Sequence, residues 1–340
     1  MTSSQASLAD VARIAGVSVA AASRALNNRP GVRPEIRERV LAVAHEMRYR
    51  PHGAARELAL GESSVIGLLL PDLDRTIPPF WAWVHRHLCA EAANREIGVM
   101  VYFLDDVAEH LGDALISKAW RGAVVAPDAA RYRFVHELAD GGFPMVLIGS
   151  AQPGLDVPSV DVENRRSSEA AVRHLVDQGC ERIGVIAGPE DRVETRLRVD
   201  GYRDALAATG RPFDPSLVIH ADYTVLGSAD AARHLIDHAA DAIFATSDPA
   251  AIAAVWTAQR MGVEVPEELA IVGFDGLQSE VGDVLDLSAV VQPVAALTAE
   301  ALRMLVEPRR EGAPERVVVE PRLVVRGTSN RQPRLPIGVG

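Results

Sequence analysis

From residue 65 onward the chain repeats one pattern, a short apolar run followed by a longer amphipathic stretch. The runs include Val65-Ile66-Gly67-Leu68-Leu69-Leu70, residues 99–104, Gly122-Ala123-Val124-Val125-Ala126-Pro127 and Met145-Val146-Leu147-Ile148. A short continuous apolar run suits a strand buried on both faces, and such strands belong to parallel sheets covered by helices. Intervening helices are predicted over 80–96 and 131–140. The pattern restarts after Asp161, with helices over 164–178, 195–209, 227–239 and 249–261 and strands over 182–187, 217–220, 242–246 and 269–274. Residues 289–291, a helix near 293–306 and one strand over 316–323 complete it. Two α/β lobes of similar size, joined by several crossings, leave a cleft between the carboxyl ends of two sheets, where small ligands bind.

Before residue 61 the periodicity is helical instead. Ser7-Leu8-Ala9-Asp10 reads as a capping box, in which Ser7 accepts from the amide of Asp10 and Asp10 reaches back to the amide of Ser7. Leu8, Val11, Ile14 and Ala15 then recur on one face, and Gly16 stops the helix. Val17 turns inward, and Ser18 caps a second helix from 19 to about 27 with Ala22, Ala25 and Leu26 facing in. Pro34 suits the first position of a third helix, 34–47, with Ile36, Val40, Val43 and Met47 as its apolar stripe. Two short helices across a tight turn form a helix-turn-helix, although other small helical domains share the pattern.

A helix laid in the major groove presents its N-terminal side chains, here Val19, Ala20, Ala21, Ser23 and Arg24. The small apolar ones touch a thymine methyl or permit close approach, while Ser23 and Arg24 bind phosphate or a base edge. Asn27 and Arg33 lie near enough to add to that surface. Residues 54–60, marginal as an isolated helix, would order against a second copy on DNA and press Leu58 into the minor groove, or else serve as a plain linker.

Charge follows the same division. Residues 1–60 hold nine arginines (13, 24, 29, 33, 37, 39, 48, 50, 56) and five acids (10, 35, 38, 46, 57), a net +4. The whole chain of 340 residues carries −11, which leaves −15 for residues 61–340. A basic head on an acidic body fits a nucleic-acid contact confined to one end.

Several function classes have no support. Cys89 and Cys180 make no disulfide framework and no CxxC pair. Residues 1–20 lack the regions of a signal peptide, and no apolar run is long enough to span a bilayer, so a cytoplasmic protein with no membrane contact is expected. There is no GxGxxG after a strand, no Walker loop, no HExxH and no G-x-S-x-G elbow. His85 and His87 are two apart on a predicted helix and do not share a face, and Asp72, Asp74, Asp105 and Asp106 have no base paired with them. The expectation is a protein that is not an enzyme, with no cofactor and no metal.

The chain resembles the lactose/galactose-repressor family of bacterial transcription regulators. The segments that carry this in the head are Leu8-Ala9-Asp10-Val11-Ala12, Ala15-Gly16-Val17-Ser18, Ser23-Arg24-Ala25-Leu26-Asn27, Arg37-Glu38-Arg39-Val40 and Tyr49-Arg50-Pro51. In the body they are Val160-Asp161-Val162-Glu163-Asn164, residues 182–189, Gly201-Tyr202-Arg203, residues 265–275 and Leu323-Val324-Val325-Arg326-Gly327. The resemblance runs from about residue 7 to 328.

It implies an N-terminal all-α helix-turn-helix DNA-binding head over 1–50, a hinge helix or linker over 51–61, and a two-lobed α/β, periplasmic-binding-protein-like effector body over 62–340. One lobe is expected from about 62–161 and 290–322, the other from about 162–289 and 323–330. The implied partners are double-stranded operator DNA, a small-molecule effector of sugar-like kind, and a second copy of the chain in a homodimer. The implied activity is transcription regulation, most often as a repressor. A constitutive regulator with an unresponsive body, or one that senses a non-sugar metabolite, is the alternative.

By the same resemblance the DNA-binding residues are Ser18, Val19, Ala20, Ala21, Ser23, Arg24, Asn27, Arg33, Tyr49, His52, Ala55 and Leu58, with Leu58 as the wedge. Arg198 and Asp275 would hold effector hydroxyls, Phe80, Trp81 and Tyr223 would flank the ligand, and Ser247 and Asp248 complete the expected effector site. The chain departs from the family at Gly149, where many members have Asp, at Ser247, where they have Asn, and at Gly276, where a second Asp is frequent. In the head, Ala21, Arg33 and His52 replace the usual Thr, Ser and Asn. Arg33 offers a charge-assisted phosphate contact in exchange for the hydroxyl lost at Ala21.

Overall fold

The computed structural model describes residues 6–26, 30–47, 49, 63–71, 78–104, 120–150, 154–276, 284–307 and 316–331. The chain divides into two compact units, Met1–Ser64 and Val65–Gly340.

The first unit holds three helices, α1 (Leu8–Ala15), α2 (Val19–Leu26) and α3 (Pro34–Glu46). The expected capping box is present: Asp10 N–H donates to Ser7 Oγ at 3.2 Å, and Ser7 N–H donates to Asp10 Oδ2 at 3.1 Å. Gly16 closes α1 in the left-handed conformation at φ 65°, and Ser18 Oγ accepts from Ala21 N–H at 3.2 Å to start α2. Val11, Ala12, Ala15, Ala22, Ala25, Val40 and Ala44 form the core, with Leu8, Ile36, Val43, Met47 and Tyr49 packed against it. Ile14, expected inside, is half exposed at 50%, and Ala12 takes the inward place. The three helices meet closely around this core, and the alanine at 12 points into it where the larger Ile14 points away. Arg37 Nη1 donates to the carbonyl of Ala25 at 3.2 Å and ties α3 to the end of α2.

The second unit is built on two six-stranded sheets. The strands in chain order are β1 (Val65–Pro71), β2 (Gly98–Leu104), β3 (Ala123–Val125), β4 (Met145–Ile148), β5 (Ser159–Val162), β6 (Ile183–Ala187), β7 (Val218–His220), β8 (Ala242–Ala245), β9 (Ala270–Asp275), β10 (Ser288–Val291), β11 (Arg316–Val319) and β12 (Arg322–Val324). The first sheet runs β11-β5-β4-β3-β1-β2 and the second β12-β10-β9-β8-β6-β7. All recorded pairings are parallel except β10 with β12. The helices are α4 (Pro79–Ala93), α5 (Arg133–Asp140), α6 (Asn164–Asp177), α7 (Val193–Ala208), α8 (Val225–Asp237), α9 (Asp248–Met261) and α10 (Val294–Val306).

Central strands are buried on both faces, as a parallel sheet under helices requires. Ile66, Leu68, Leu69 and Leu70 of β1 are at most 2% exposed, and each such side chain contributes about 1.5–3 kcal/mol by leaving water. At the edge, β2 alternates, leaving Met100 and Phe103 partly in solvent.

Two strands depart from expectation. Ser159–Val162 forms β5, which has only four residues and a buried aspartate in its middle, so hydrophobicity alone does not mark it. The single strand expected over 316–323 is two strands in different sheets: β11 pairs with β5 and β12 with β10, parted at Glu320-Pro321. Proline has no N–H to continue a ladder, so the chain leaves one sheet there and joins the other. Strand β10 lies wholly in the second sheet, so the chain leaves that sheet after Val291 rather than at 290.

No helix among the described residues is long and apolar enough to cross a membrane. Cys89 and Cys180 are free thiols, and burial pushes the Cys180 thiol up to about 11.

Candidate functional site

In the first unit the solvent face of α2 carries the expected reading residues. Ser18, Val19, Ala20 and Arg24 are exposed, and Ala21 and Ser23 are half-buried. Arg33 is exposed where α3 begins. Tyr49 is half-buried against the helical core, and this burial pushes its hydroxyl pKa up. Asn27, His52, Ala55 and Leu58 lie outside the described residues.

In the second unit a cavity of about 110 Å³ opens where the carboxyl ends of both sheets face each other. By this measure one water needs about 10–15 Å³, so the space suits several waters or one small ligand. Phe80, Trp81, Arg198, Tyr223, Ser247 and Asp275 all line it, six of the seven expected effector residues. Asp248 stands behind the wall, where its Oδ1 accepts from the amide of Gly276 at 3.2 Å. It holds Gly276, the residue that follows Asp275.

Arg198, on α7, is 6% exposed and heavily constrained. Its Nε donates to Asn164 Oδ1 at 2.9 Å and its Nη1 to the carbonyl of Thr246 at 2.6 Å. The guanidinium carbon sits 3.7 Å from the Phe274 ring centroid, a cation–π contact that holds the plane flat. Its Nη1 lies 3.8 Å from Asp275 Oδ1. Asp275 ends β9 at φ 98°, an uncommon conformation for a residue with a side chain, and accepts from Gln292 Nε2 at 2.7 Å. Burial outweighs the nearby guanidinium and raises the Asp275 carboxyl to about 6. Tyr223 exchanges a 2.9 Å hydrogen bond with Thr195 Oγ1, and burial raises its pKa as well.

The opposite wall comes from the first sheet. Phe80 and Trp81 meet edge to face with centroids 5.3 Å apart at the start of α4. Asp161 accepts from Ser150 Oγ at 2.7 Å, from its neighbour's amide at 2.8 Å and from Asn164 Nδ2 at 3.1 Å. Across the cleft, Arg192 at the start of α7 pairs with Asp128 of the 3-10 turn Pro127–Arg131. The amino-acid sequence alone gives no role to Asp128, Ser150, Glu194 or Gln292, and Asp161 and Asn164 stand out only as members of a matching segment. The signal that could have found them is position: Asp161 lies inside β5, and every other one follows a strand's carboxyl end or opens the next helix, where an α/β fold places its crevice.

Residues 7–52 match the family described as bacterial regulatory proteins, lacI family, and residues 172–329 match the periplasmic binding protein-like domain. The HTH-type transcriptional repressor CytR of Escherichia coli strain K12 is 31% identical over 338 residues, 96% of this chain and 97% of that protein.

The chain belongs to the lacI family of bacterial regulatory proteins.

It is accordingly a DNA-binding transcriptional regulator and not an enzyme. Among solved structures, a transcriptional regulator CelR–cellobiose complex superposes with a TM-score of 0.70 at 29% identity, over 95% of this chain and 100% of that one. The lac repressor dimer bound to operator and the anti-inducer ONPF superposes with a TM-score of 0.79 at 22% identity, over 96% and 99%, a likeness of fold.

Two departures of this lacI-family chain have a steric cause. Gly149 has φ 125°, and a Cβ there would sit 2.6 Å from Pro127 Cγ. Gly276 has φ 59°, and its Cβ would sit 2.5 Å from Val291 Cγ2. Neither position has room for an aspartate in this backbone. Ser247, by contrast, caps α9 by accepting from Ala250 N–H at 3.4 Å while lining the cleft.

Proposed function

We propose that this regulator acts as a cytoplasmic homodimeric repressor whose heads read a near-palindromic operator and whose cleft binds a sugar-like effector. The observation that carries the effector half is the convergence of Phe80, Trp81, Arg198, Tyr223, Ser247 and Asp275 on one cavity between two sheets. Carboxylate, guanidinium and amide groups there suit adjacent hydroxyls, and the aromatic faces suit the C–H side of a sugar ring. The bound cellobiose of the CelR complex and the dimeric, operator-bound state of the lac repressor support the same reading.

A dimer presents two heads to a two-fold site and lets the two 54–60 segments order each other. Closure of one lobe on the other then changes the distance between the two linkers and so operator affinity. A coupling of about 1–3 kcal/mol shifts that affinity by roughly 5- to 150-fold.

The test is a thermal-shift and calorimetric screen of the full-length protein against sugars, nucleosides and polyols, followed by operator titration with and without each hit. A ligand of the native state raises apparent stability by about 2.7 kcal/mol at a hundred times its Kd. A hit lost in both Arg198→Ala and Asp275→Ala supports the cleft, and a hit retained in both places the effector elsewhere. Operator binding unmoved by any hit supports a constitutive regulator instead.

A further inference from the structure

The charges around the cleft do not balance. Four carboxylates line it, those of Asp128, Asp161, Glu194 and Asp275, while Arg198 is the one Lys or Arg on the lining among the described residues. Three of the four have cations in reach. Asp128 pairs with Arg192, Asp161 lies 3.4 Å from Arg316 Nη2, and Asp275 lies 3.8 Å from Arg198 Nη1.

Glu194 differs. No cation among the described residues stands within ion-pair distance of it. Its Oε1 is approached only by the Tyr223 hydroxyl at 3.5 Å, and its Oε2 is buried with no hydrogen-bond partner. A buried polar atom without a partner is costly, and native sites leave one so where something else completes it. An ionised carboxylate accepts and does not donate, so the completing group must carry an O–H or N–H.

Arg198 offers little to an anion. Two of its donors are spent on Asn164 and Thr246, its charge is shared with Asp275, and its plane is fixed on Phe274. A phosphate or carboxylate entering the cleft would meet the uncompensated carboxylate of Glu194, beside a guanidinium already engaged with Asp275. The negative charge of Glu194 also adds to the burial that raises the Asp275 carboxyl, so the two acids sense each other across the site.

We infer that the cleft selects a hydroxylated ligand with no anionic group, uncharged or amine-bearing, which donates an O–H or N–H to Glu194 Oε2, and that Glu194 sets this charge preference. The inference rests on the reading of the cleft as an effector site and narrows its ligand to one sign of charge.

Matched probes test it on the full-length protein by isothermal calorimetry: glucose, glucosamine, ribose and cellobiose against glucose 6-phosphate, glucosamine 6-phosphate, ribose 5-phosphate and gluconate. The expected result is that every binder is an uncharged or amine-bearing probe, and that its phosphorylated or carboxylated counterpart binds at least tenfold more weakly. Glu194→Gln, which keeps the shape and removes the charge, should narrow that ratio severalfold. Operator binding by the variant serves as the check that it is folded. A phosphorylated or carboxylated probe binding as tightly as its neutral counterpart would overturn the charge preference and leave the effector reading standing. An unchanged ratio in a folded Glu194→Gln would remove Glu194 as its cause. No binding by any probe would overturn the sugar-effector reading, and this inference with it.

Discussion

Arg192 and Asp128 form an ion pair that joins the two lobes across the mouth of the cleft. Arg192 stands immediately before α7, against the second sheet, and Asp128 belongs to the 3-10 turn that follows β3 in the first. Their side chains are only 15% and 14% exposed, between a surface pair worth little and a fully buried one that is expensive to break. Asp128→Asn should therefore loosen the closed lobe arrangement at a cost of about 1–2 kcal/mol, within the span of those two cases. Small-angle scattering should show a larger radius of gyration for the ligand-free variant. An unchanged radius together with an unchanged melting temperature would show that the pair does not hold the lobes.

The Asp275 carboxyl, raised to about 6, predicts opposite pH trends for stability and binding. An aspartate with a folded pKa above its unfolded value of about 3.9 binds more protons folded than unfolded between the two. Its contribution to stability thus improves as pH falls from 7 towards 4. Wild type should gain in melting temperature on Asp275→Asn across that range. Effector binding should run the other way, because the ionised carboxylate is the stronger acceptor for a ligand hydroxyl. Affinity should fall as pH drops through 6. Arg198, Gln292 and Glu194 face this carboxyl, so the same titration in Glu194→Gln should have a lower midpoint. A flat profile from pH 7 to 5 would contradict this assignment.

Restoring the family's usual aspartate at position 149 should harm this chain. Gly149→Asp puts a side chain at φ 125° and a Cβ 2.6 Å from Pro127 Cγ. Strain of this kind costs about 1–3 kcal/mol, and it displaces the turn that carries Asp128. Chemical denaturation should show the lower stability, and any effector found by screening should bind more weakly. Tighter binding in the variant would mean that the glycine marks a lost contact and not a steric demand.

In the head, Arg24→Ala should weaken operator binding by about 1–3 kcal/mol if Arg24 reads a base edge, and should relax specificity at that position. Leu58→Ala should reduce specific binding more than non-specific binding, as loss of a minor-groove wedge would. Titrations against operator and scrambled duplexes separate the two effects. Unchanged specificity in both variants would remove this account of DNA reading.

Local chemistry made much of the architecture legible in the amino-acid sequence. The cap at Ser7 and Asp10, the glycine stop at Gly16 and the proline at the start of α3 act over three or four residues, so spacing alone identifies them. Strands β1, β3 and β4 were visible because a strand buried on both faces must be apolar throughout. Where both signals were absent the sequence was silent: β5 hides a buried Asp161, and Pro321 moves the chain between sheets inside what reads as one strand. The cleft shows the same limit more fully. Arg198 and Asp275 could be named from their matching segments, but the Asp128–Arg192 pair, the stack on Phe274 and the unpartnered Oε2 of Glu194 could not. These arise because the chain passes between the two lobes after β5, after β10 and after β11, which brings residues from Pro78 to Gln292 to one cavity. Helix, strand and cap depend on neighbours in sequence and are written there. Charge balance, burial and the reach of one side chain to another depend on which strand ends meet, and only the tertiary structure decides that.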